Sequence, residues 1–264
     1  MRRLLRITYE LLVLFGFDPL KTATTIRRLP AFFQDLIVLR GQRALSKNDF
    51  PFGRPYPCLG DRCLENGTAR GHYFHQDLLV ANRIFRNNPR THVDVGSRID
   101  GFVAHIASFR PIEVIDIRPL ANSIANVSFI QADLTGRLPG NLVDHCDSLS
   151  CLHALEHFGL GRYGDPVNYD GYLVGLENLY AILQRAGRFY FSVPIGPQRI
   201  EFNAHRIFSL PYLLDQFVGR FKIDHFSFVD DRGDLHTDVA LSTLSAADSF
   251  GCYYGCGVFE MTKL

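Results

Sequence analysis

From residue 91 onward, short apolar runs alternate with segments of helical or crossover character, and this alternation limits the choice of fold more than any other feature of the chain. The runs have the length and the Val, Ile and Phe content of buried strands. They lie at residues 91–96, 113–117, 128–131, 145–150 and 188–193. Strands separated in this way predict an α/β fold with a Rossmann-like, doubly wound, mostly parallel sheet.

The C-terminal part of the chain departs from this alternation. A predicted helix at 210–217 precedes a strand at 221–229, and a final strand at 257–262 follows a polar insertion. Two strands joined by such an insertion can pair antiparallel. We therefore expect an antiparallel edge strand on the otherwise parallel sheet. With 264 residues, 47% of them hydrophobic, the chain can bury one substantial core.

Residues 1–48 are predicted to form a basic, amphipathic helical extension, with nine Lys and Arg residues against three acidic ones. Its apolar run is interrupted by charges, so neither a membrane span nor a signal peptide is expected. Two interpretations stay open: helices with a solvated basic face, or peripheral contact with an anionic membrane or a protein partner. We expect a cytoplasmic protein, and the second interpretation places it peripherally at the inner face of the membrane.

Two proline positions mark predicted helix starts within this extension. Asp18-Pro19 has the pattern of an N-cap followed by proline at the first helical position. Leu29-Pro30 predicts the start of a third helix. Residues 49–70, rich in Pro, Gly and Asn, then read as a connector to a domain over 71–264.

The six cysteines fall in three pairs along the chain. A zinc site could be formed by the first and last pairs, Cys58/Cys63 and Cys252/Cys256. It is not predicted, because their spacings are wider than those of zinc knuckles. No metal ligand is therefore assigned. The net charge of +1 gives no general attraction to nucleic acid, and the basic residues lack interleaved aromatics, so no nucleic-acid partner is expected.

The loop after the first strand is the expected ligand site of a doubly wound sheet. A dinucleotide fold needs the glycines of G-x-G-x-x-G here, whereas this loop has Arg98 at the second glycine position and Asp100 before the helix. Asp100 would repel a pyrophosphate but could receive an ammonium, and Arg98 could pair with a carboxylate. S-adenosylmethionine carries both groups. The predicted cofactor contacts in this loop are Asp94, Gly96, Ser97, Arg98, Asp100 and Gly101.

Two further carboxylates follow the next strands. Asp116 ends the second strand, about twenty residues after the glycine loop, where a carboxylate can bind ribose hydroxyls. Asp133, followed by Leu134, comes after the third strand, where it could accept the amine of adenine. A local cap at Asp116 and an Asx turn at Asp133 are the alternative interpretations.

Taken in order, the segments HVDVGSRIDGF, EVIDIRPL, FIQADLTG, DSLSCLHALEHFG and LQRAGRFYFSVPIG resemble the motifs of class I S-adenosylmethionine-dependent methyltransferases. More narrowly, VGSRIDGF, FNAHRIFS and YYGCGVFEM resemble the family DUF268 of nematodes and bacteria, which is sometimes found among surface-polysaccharide genes. The resemblance implies cofactor binding by Asp94, Gly96, Ser97, Asp116 and Asp133. It also implies chemistry at the ends of the fourth and fifth strands.

Methyl transfer to a hydroxyl requires alignment and a base. At the fourth strand, we predict His157 as the base, oriented by Glu156, with His153 lining the cofactor, because residues three and four apart share a helical face. The alternative is that Glu156 and His157 only brace the turn.

His205 is the second candidate base, in a loop after the fifth strand that also offers acceptor contacts. The predicted acceptor-binding residues are Glu201, Asn203 and Arg206. Before the first strand, Tyr73 or Gln76 is predicted to contact the cofactor.

These residues favour an S-adenosylmethionine-dependent methyltransferase acting on a hydroxyl of a saccharide or another small polar metabolite. The alternative is a non-catalytic, methyltransferase-like binding or scaffold protein in surface-polysaccharide assembly. Calorimetry with the cofactor distinguishes the two.

Overall fold

The computed structural model describes residues 2–46, 50–63, 66–242 and 244–264. It consists of two units, Met1–Thr68 and Ala69–Leu264, and each is described by itself. The predicted boundary between extension and connector, at residues 48 and 49, lies outside the described residues.

The first unit is helical. Helix α1 spans Arg2–Leu14, helix α2 spans Pro19–Leu45, and a 3₁₀ turn spans Asp61–Cys63. Asp18 caps α2 as predicted, since its Oδ1 accepts a hydrogen bond of 2.9 Å from the Lys21 amide. In the described chain, no helix is long and apolar enough to cross a membrane.

The predicted third helix is wrong, because α2 continues through Pro30 without a break. A proline inside a helix removes one hydrogen bond and costs about 3 kcal/mol. Good helix formers on both sides of Pro30 continue the backbone ladder across it.

All the strands of the described chain lie in the second unit. Its helices are α3 (His72–Asn87), α4 (Ala104–Ala107), α5 (Gly171–Ile182), α6 (Leu210–Phe217) and α7 (Leu244–Ala247), with a π-helical turn at Ile99–Val103 before α4. Its strands are β1 (His92–Val95), β2 (Ile112–Asp116), β3 (Val127–Gln131), β4 (Cys146–Leu152), β5 (Leu183–Ile195), β6 (Arg199–Glu201), β7 (His205–Ile207), β8 (Phe221–Val229), β9 (Leu235–His236) and β10 (Gly255–Lys263).

Eight strands form one sheet in the order β3-β2-β1-β4-β5-β10-β8-β9. The five strands from β3 to β5 are parallel, which confirms the predicted Rossmann-like sheet. The antiparallel pairing of β8 with β10 is also confirmed. However, β10 lies between β5 and β8 rather than at the edge, which is formed by the short strand β9. Because β10 is buried along almost its whole length, it suits an interior position.

The buried hydrophobic side chains of this sheet belong to two separate clusters. Along β5, Phe189 and Phe191 belong to one cluster and Tyr190 to the other, as expected from the alternation of side chains along a strand. Helix α3 contributes Val80 and Ile84 to the cluster that contains Tyr190. The packed sheet fixes the carboxyl ends of β1, β2 and β4 side by side, and the loops that follow them meet there.

Candidate functional site

A cleft of about 530 Å³ opens where β1, β2 and β4 end. Six of the residues predicted from the sequence line it: Gly96, Asp116, Asp133, Leu134, His153 and His157. Its remaining wall includes Arg118, Thr135, Tyr163 and Asp165, which the sequence did not single out. The site is therefore at the position that a doubly wound sheet dictates.

Gly96 lets the backbone turn at the floor of this cleft. Its φ of +75° lies in the left-handed region. A Cβ at this position would lie 2.8 Å from the Cβ of Ala154, so the close approach of the two loops also requires glycine. The loop can thus bring its backbone close to a ligand.

Asp94 supports this loop from inside. Its Oδ1 accepts hydrogen bonds from the hydroxyls of Ser150, at 2.5 Å, and Ser97, at 2.8 Å, and its Oδ2 accepts one from the Ser97 amide at 3.0 Å. Burial raises the pKa of Asp94 to about 6, against these hydrogen bonds, which lower it. Both oxygens are engaged within the protein, so the geometry places Asp94 in support of the loop.

Arg98 and Asp100 form an ion pair with each other, with distances of 3.0 and 2.8 Å. Both side chains are exposed, on the rim of a second, more open cleft of about 700 Å³. Behind them, a Cβ on Gly101 would lie 3.0 Å from Oδ2 of Asp77. The pKa of this buried Asp77 carboxyl is raised to about 6 by burial.

Asp116 is engaged by Arg118 in two parallel contacts, Nε to Oδ1 at 3.0 Å and Nη2 to Oδ2 at 2.6 Å. The guanidinium of Arg118 also lies over the ring of Tyr163, 4.5 Å from its centre. Asp133 makes an Asx turn, since its Oδ1 accepts from the amide and hydroxyl of Thr135 at 2.8 and 2.7 Å. Both carboxylates thus lie on the cleft, and both have local partners.

His153 and Glu156 form a buried pair beside the cleft, with Nδ1 2.6 Å from Oε1. His153 has a φ of +52° and precedes the 3₁₀ turn Leu155–His157, so the shared helical face expected from the spacing does not exist. Burial alone would lower the pKa of His153, but the Cys256 thiol and the Glu156 carboxylate raise it well above its usual range. Burial would raise the pKa of Glu156, but the charge of His153 lowers it.

His157 is oriented by a backbone carbonyl rather than by Glu156. Its Nδ1 lies 2.6 Å from the oxygen of Ala204, whereas its Nε2 lies 3.7 Å from Oε1 of Glu156. A carbonyl only accepts, so Nδ1 carries the proton, and the Nε2 of the neutral ring has a free lone pair. Burial lowers the pKa of His157, and the charge of Arg162 adds to this effect.

The predicted acceptor loop is a hairpin of β6 and β7. His205 stacks on Tyr254, with ring centres 5.0 Å apart, and its Nε2 lies 3.3 Å from Oε2 of Glu201. Asn203 is exposed at the turn with a φ of +62°.

Arg206, which is predicted to bind the acceptor, makes its hydrogen bonds within the protein. It is buried and donates hydrogen bonds to the carbonyls of Phe158 and Tyr169, at 2.6 and 2.8 Å. Adjacent residues of a strand point to opposite sides, so β7 turns Arg206 away when it presents His205 to Tyr254.

The two residues predicted on α3 lie close to the histidine cluster. The ring of Tyr73 is 5.2 Å from that of His153. Gln76 is buried, and its Oε1 accepts a hydrogen bond of 2.7 Å from Ser192, whose Oγ in turn accepts from the His153 amide at 3.1 Å. Gln76 therefore braces the loop that carries His153.

Sequence reasoning did not place His72, Tyr254 and Cys256 at this site. His72 stacks on His153, with ring centres 5.1 Å apart, and lies 5.2 Å from the ring of Tyr254. These residues come from opposite ends of the domain sequence. Only the position of β10 next to β5 brings Cys256 to this cluster, which no local spacing signals.

The strand order and the cleft together define a Rossmann-like protein of the doubly wound α/β class. Residues 104–247, more than half of the chain, match the family described as Caenorhabditis protein of unknown function, DUF268, and the chain belongs to that family.

This chain is similar to many solved structures, among them two methyltransferases with bound S-adenosylhomocysteine. The 1,6-didemethyltoxoflavin N1-methyltransferase of Burkholderia thailandensis, with bound S-adenosylhomocysteine, is 16% identical, and the match covers 71% of this chain and 78% of that one at a TM-score of 0.49. The N-methyltransferase NodS of Bradyrhizobium japonicum, in complex with S-adenosylhomocysteine, is 10% identical over 73% and 88% of the two chains, with a TM-score of 0.48. A comparison with curated proteins gave no match.

Proposed function

We propose that this protein is an S-adenosylmethionine-dependent methyltransferase that methylates a hydroxyl of a saccharide or a small polar metabolite. One observation carries the proposal: the Gly96 turn, Asp116 and Asp133 meet on the same cleft as His157. A backbone turn and two carboxylates next to a neutral imidazole suit a nucleoside-bearing amino acid on one side and a proton to be removed on the other.

The residues present fit this cofactor. Gly96 leaves room that a Cβ would fill, Asp116 can receive ribose hydroxyls, and Asp133 can receive the adenine amine. The buried Asp77 carboxyl behind Gly101 is a further anionic group toward which an ammonium could be directed. When bound, the cofactor supplies a methyl group on a sulfonium. The demethylated cofactor leaves as S-adenosylhomocysteine once the acceptor oxygen has taken the methyl group.

The chain's own contribution is alignment and proton removal. The Ala204 carbonyl holds the His157 ring with its Nε2 unprotonated, and Arg162 disfavours the charged ring. Nε2 can therefore take the hydroxyl proton as the acceptor oxygen bonds to carbon. The Glu156 carboxylate then lies 3.7 Å from the nitrogen that becomes charged.

A polar acceptor is supported by the hairpin next to this histidine. Glu201 and Asn203 supply donors and acceptors at its turn, and the stacked rings of His205 and Tyr254 offer a flat apolar face. Sugars combine hydroxyl edges with apolar C–H faces, and this surface has a counterpart for each.

Calorimetry with S-adenosylmethionine and S-adenosylhomocysteine tests the proposal. We expect both to bind, and we expect Asp133→Ala to weaken binding while the exposed control Asp248→Ala does not. Incubation with a panel of saccharides then identifies the acceptor by release of S-adenosylhomocysteine. No binding at millimolar cofactor would overturn the proposal.

A non-catalytic binding or scaffold role is the second candidate, and the Asp116–Arg118 pair favours it. Because Arg118 contacts both oxygens of Asp116, a ribose hydroxyl would have to share these oxygens with the guanidinium or displace it. Binding of the cofactor without release of S-adenosylhomocysteine from any acceptor would support this role instead.

For the first unit we propose peripheral contact with an anionic membrane at its cytoplasmic face. The end of α1 and the turn after it expose large apolar side chains, with Leu14 at 77% and Phe15 at 84%. The nine basic residues of 1–48 supply attraction to anionic lipid. Co-flotation with vesicles of anionic lipid, but not of neutral lipid, is expected, and Phe15→Asp should reduce it.

A further inference from the structure

Three side chains that can bind a metal ion converge beside the cleft. His72 begins α3, His153 follows β4 and Cys256 lies on β10, and one ligand atom from each lies within 4.8 Å of the others. Cys256 and His153 are buried, and His72 is half-buried. Three elements distant in sequence thus bring two imidazoles and a thiol close together.

The orientation of His153 is that of a metal ligand. Its Nδ1 faces Oε1 of Glu156 at 2.6 Å, so Nε2 is the ring nitrogen that can coordinate a metal ion. This Nε2 is buried and has no hydrogen-bond partner among the residues that the structure describes. A carboxylate that holds the other ring nitrogen is the usual support of a metal-bound histidine.

The rest of the cluster has weak internal contacts that an ion could replace. The Cys256 thiol donates two long contacts, 3.7 Å to Oε1 of Gln76 and 3.9 Å to the Gly257 carbonyl. His72 stacks on His153 with 11° between the ring planes, so it must rotate about χ2 to share an ion, a torsion with broad freedom in histidine. A tetrahedral zinc site brings nitrogen and sulfur ligands to about 3.6 Å from each other, so the three groups would close together slightly.

We propose that His72, His153 and Cys256 bind one divalent transition-metal ion, with Zn²⁺ the best chemical match. Two imidazoles and a thiolate suit zinc and not Mg²⁺ or Ca²⁺, which prefer oxygen ligands. Binding releases the thiol proton, because sulfur coordinates as thiolate, and the Nε2 proton of the charged His153 ring, because Nε2 coordinates through its lone pair. Three protein ligands leave a fourth position for water or a substrate atom.

This fourth position suggests a role that rests on the proposed function. His153 lines the cleft, so the ion would lie next to it. A hydroxyl bound to zinc loses its proton more readily than a free one, because the ion stabilises the oxygen anion. The metal would then activate the acceptor whose proton His157 removes.

Cobalt titration of the full chain tests the site, since Co²⁺ takes the same ligands and reports a thiolate ligand by its near-ultraviolet charge-transfer band. The chain is first treated with a chelator, and then titrated with Co²⁺ and competed with Zn²⁺. We expect one equivalent to bind and Zn²⁺ to displace it. Cys256→Ser should abolish the band and weaken Zn²⁺ binding at least about 100-fold, and Glu156→Gln should weaken it about tenfold to 100-fold. The buried Cys146→Ser is the matched control and should keep both.

The absence of stoichiometric binding to the wild-type chain overturns the proposal, whatever the variants do. A thiolate band that survives in folded Cys256→Ser, or disappears in Cys146→Ser, also overturns it. If Cys256→Ser does not fold, His72→Asn replaces it in the test and is also expected to weaken Zn²⁺ binding. The proposed function is tested separately, by cofactor calorimetry and by release of S-adenosylhomocysteine. If the metal binds but no methyl transfer occurs, the metal site stands and its catalytic role is rejected. If the chelated, metal-free chain transfers the methyl group, only the catalytic role of the metal is rejected.

Discussion

Nδ1 of His153 lies 2.6 Å from Oε1 of Glu156, and both side chains are almost completely enclosed. Removing one partner of such a pair leaves the other without compensation in a low-dielectric interior. The pair is therefore the element of the site on which folding depends most directly.

We expect Glu156→Ala to lower the free energy of unfolding by about 3 kcal/mol, measured by urea denaturation in a chelator. The pair of His145 and Glu113 has similar geometry, with Nε2 2.5 Å from Oε1, but its side chains are 27% and 23% exposed. Glu113→Ala is the control and should cost less than about 1 kcal/mol, because water screens this pair. Equal losses in the two variants would contradict the importance of burial.

His157→Ala is expected to lower kcat by at least tenfold and by about 10²-fold to 10⁴-fold if proton removal limits the rate. The readout is release of S-adenosylhomocysteine with the acceptor identified in the saccharide panel. His205→Ala, at the second candidate base, is the comparison. If His205→Ala alone has the large effect, the assignment of the base is reversed.

The pH profile gives a separate check of His157. Burial, Arg162 and His153 lower its pKa, against the opposing effects of the Glu156 carboxylate and the Ala204 carbonyl. The rings of Tyr163 and His205 also face it, with ring centres 5.3 and 6.4 Å away. A base works only when unprotonated, so kcat/KM should fall on the acid side at a pH below 6.5, the ordinary pKa of histidine. Arg162→Gln should move this fall to higher pH. An acid limb that Arg162→Gln leaves in place would argue against His157.

Arg118→Ala is expected to tighten S-adenosylhomocysteine binding about twofold to fivefold, because the cofactor no longer has to displace the Arg118 side chain from Asp116. The effect is small because the Arg118 side chain is half-exposed and water screens the ion pair. Asp116→Ala should weaken binding, because the ribose hydroxyls lose their acceptor. Calorimetry measures both. If Arg118→Ala instead weakens binding, the guanidinium itself contacts the cofactor.

Asp94 and His92 predict opposite dependences of stability on pH. Burial raises the pKa of Asp94 to about 6, so the folded chain holds a proton that the unfolded chain releases, and Asp94 lowers stability as pH rises from about 4 to 6. Burial and the charge of Arg110 lower the pKa of His92 to about 3, against Asp147, so His92 lowers stability as pH falls below 6.5. Ser150 touches both side chains, at 2.5 Å from Asp94 and 3.2 Å from His92.

Asp94→Asn removes one of these two slopes. Stability of the variant should therefore rise more steeply from pH 4 to pH 6 than that of the wild type, with the difference between them changing by about 2 to 3 kcal/mol. Urea denaturation across this range measures it. Parallel curves would show that Asp94 does not titrate as its burial implies. The other charged group that faces Asp94 is Asp77, which favours the protonated form.

The sequence was sufficient to predict the parallel sheet and the position of the cleft, because both follow from local apolar patterns and from the rule that ligand loops follow strand ends. Gly96, Asp116 and His157 therefore line one cleft as expected. Their roles in binding and catalysis stay predictions.

Tertiary packing decided the features that sequence reasoning did not find. Pro30 predicts a helix start because proline interrupts helices locally, yet its neighbours continue the helix. Arg206 is predicted to bind the acceptor, but β7 directs it to a backbone carbonyl of another loop. Cys256 joins His153 only because β10 inserts beside β5, and such long-range pairing has no signature within a short window of sequence.

The place of β10 in the sheet has a consequence for how the protein is made. Strands β5 and β8 are synthesised before β10, and each has one ladder that only β10 satisfies. Until the ribosome delivers residues 255–263, a nascent chain exposes two apolar strand edges of the kind that pair wrongly with other chains. Cys256 arrives with the same strand, so the growing polypeptide cannot assemble its histidine and cysteine cluster before β10 has been synthesised.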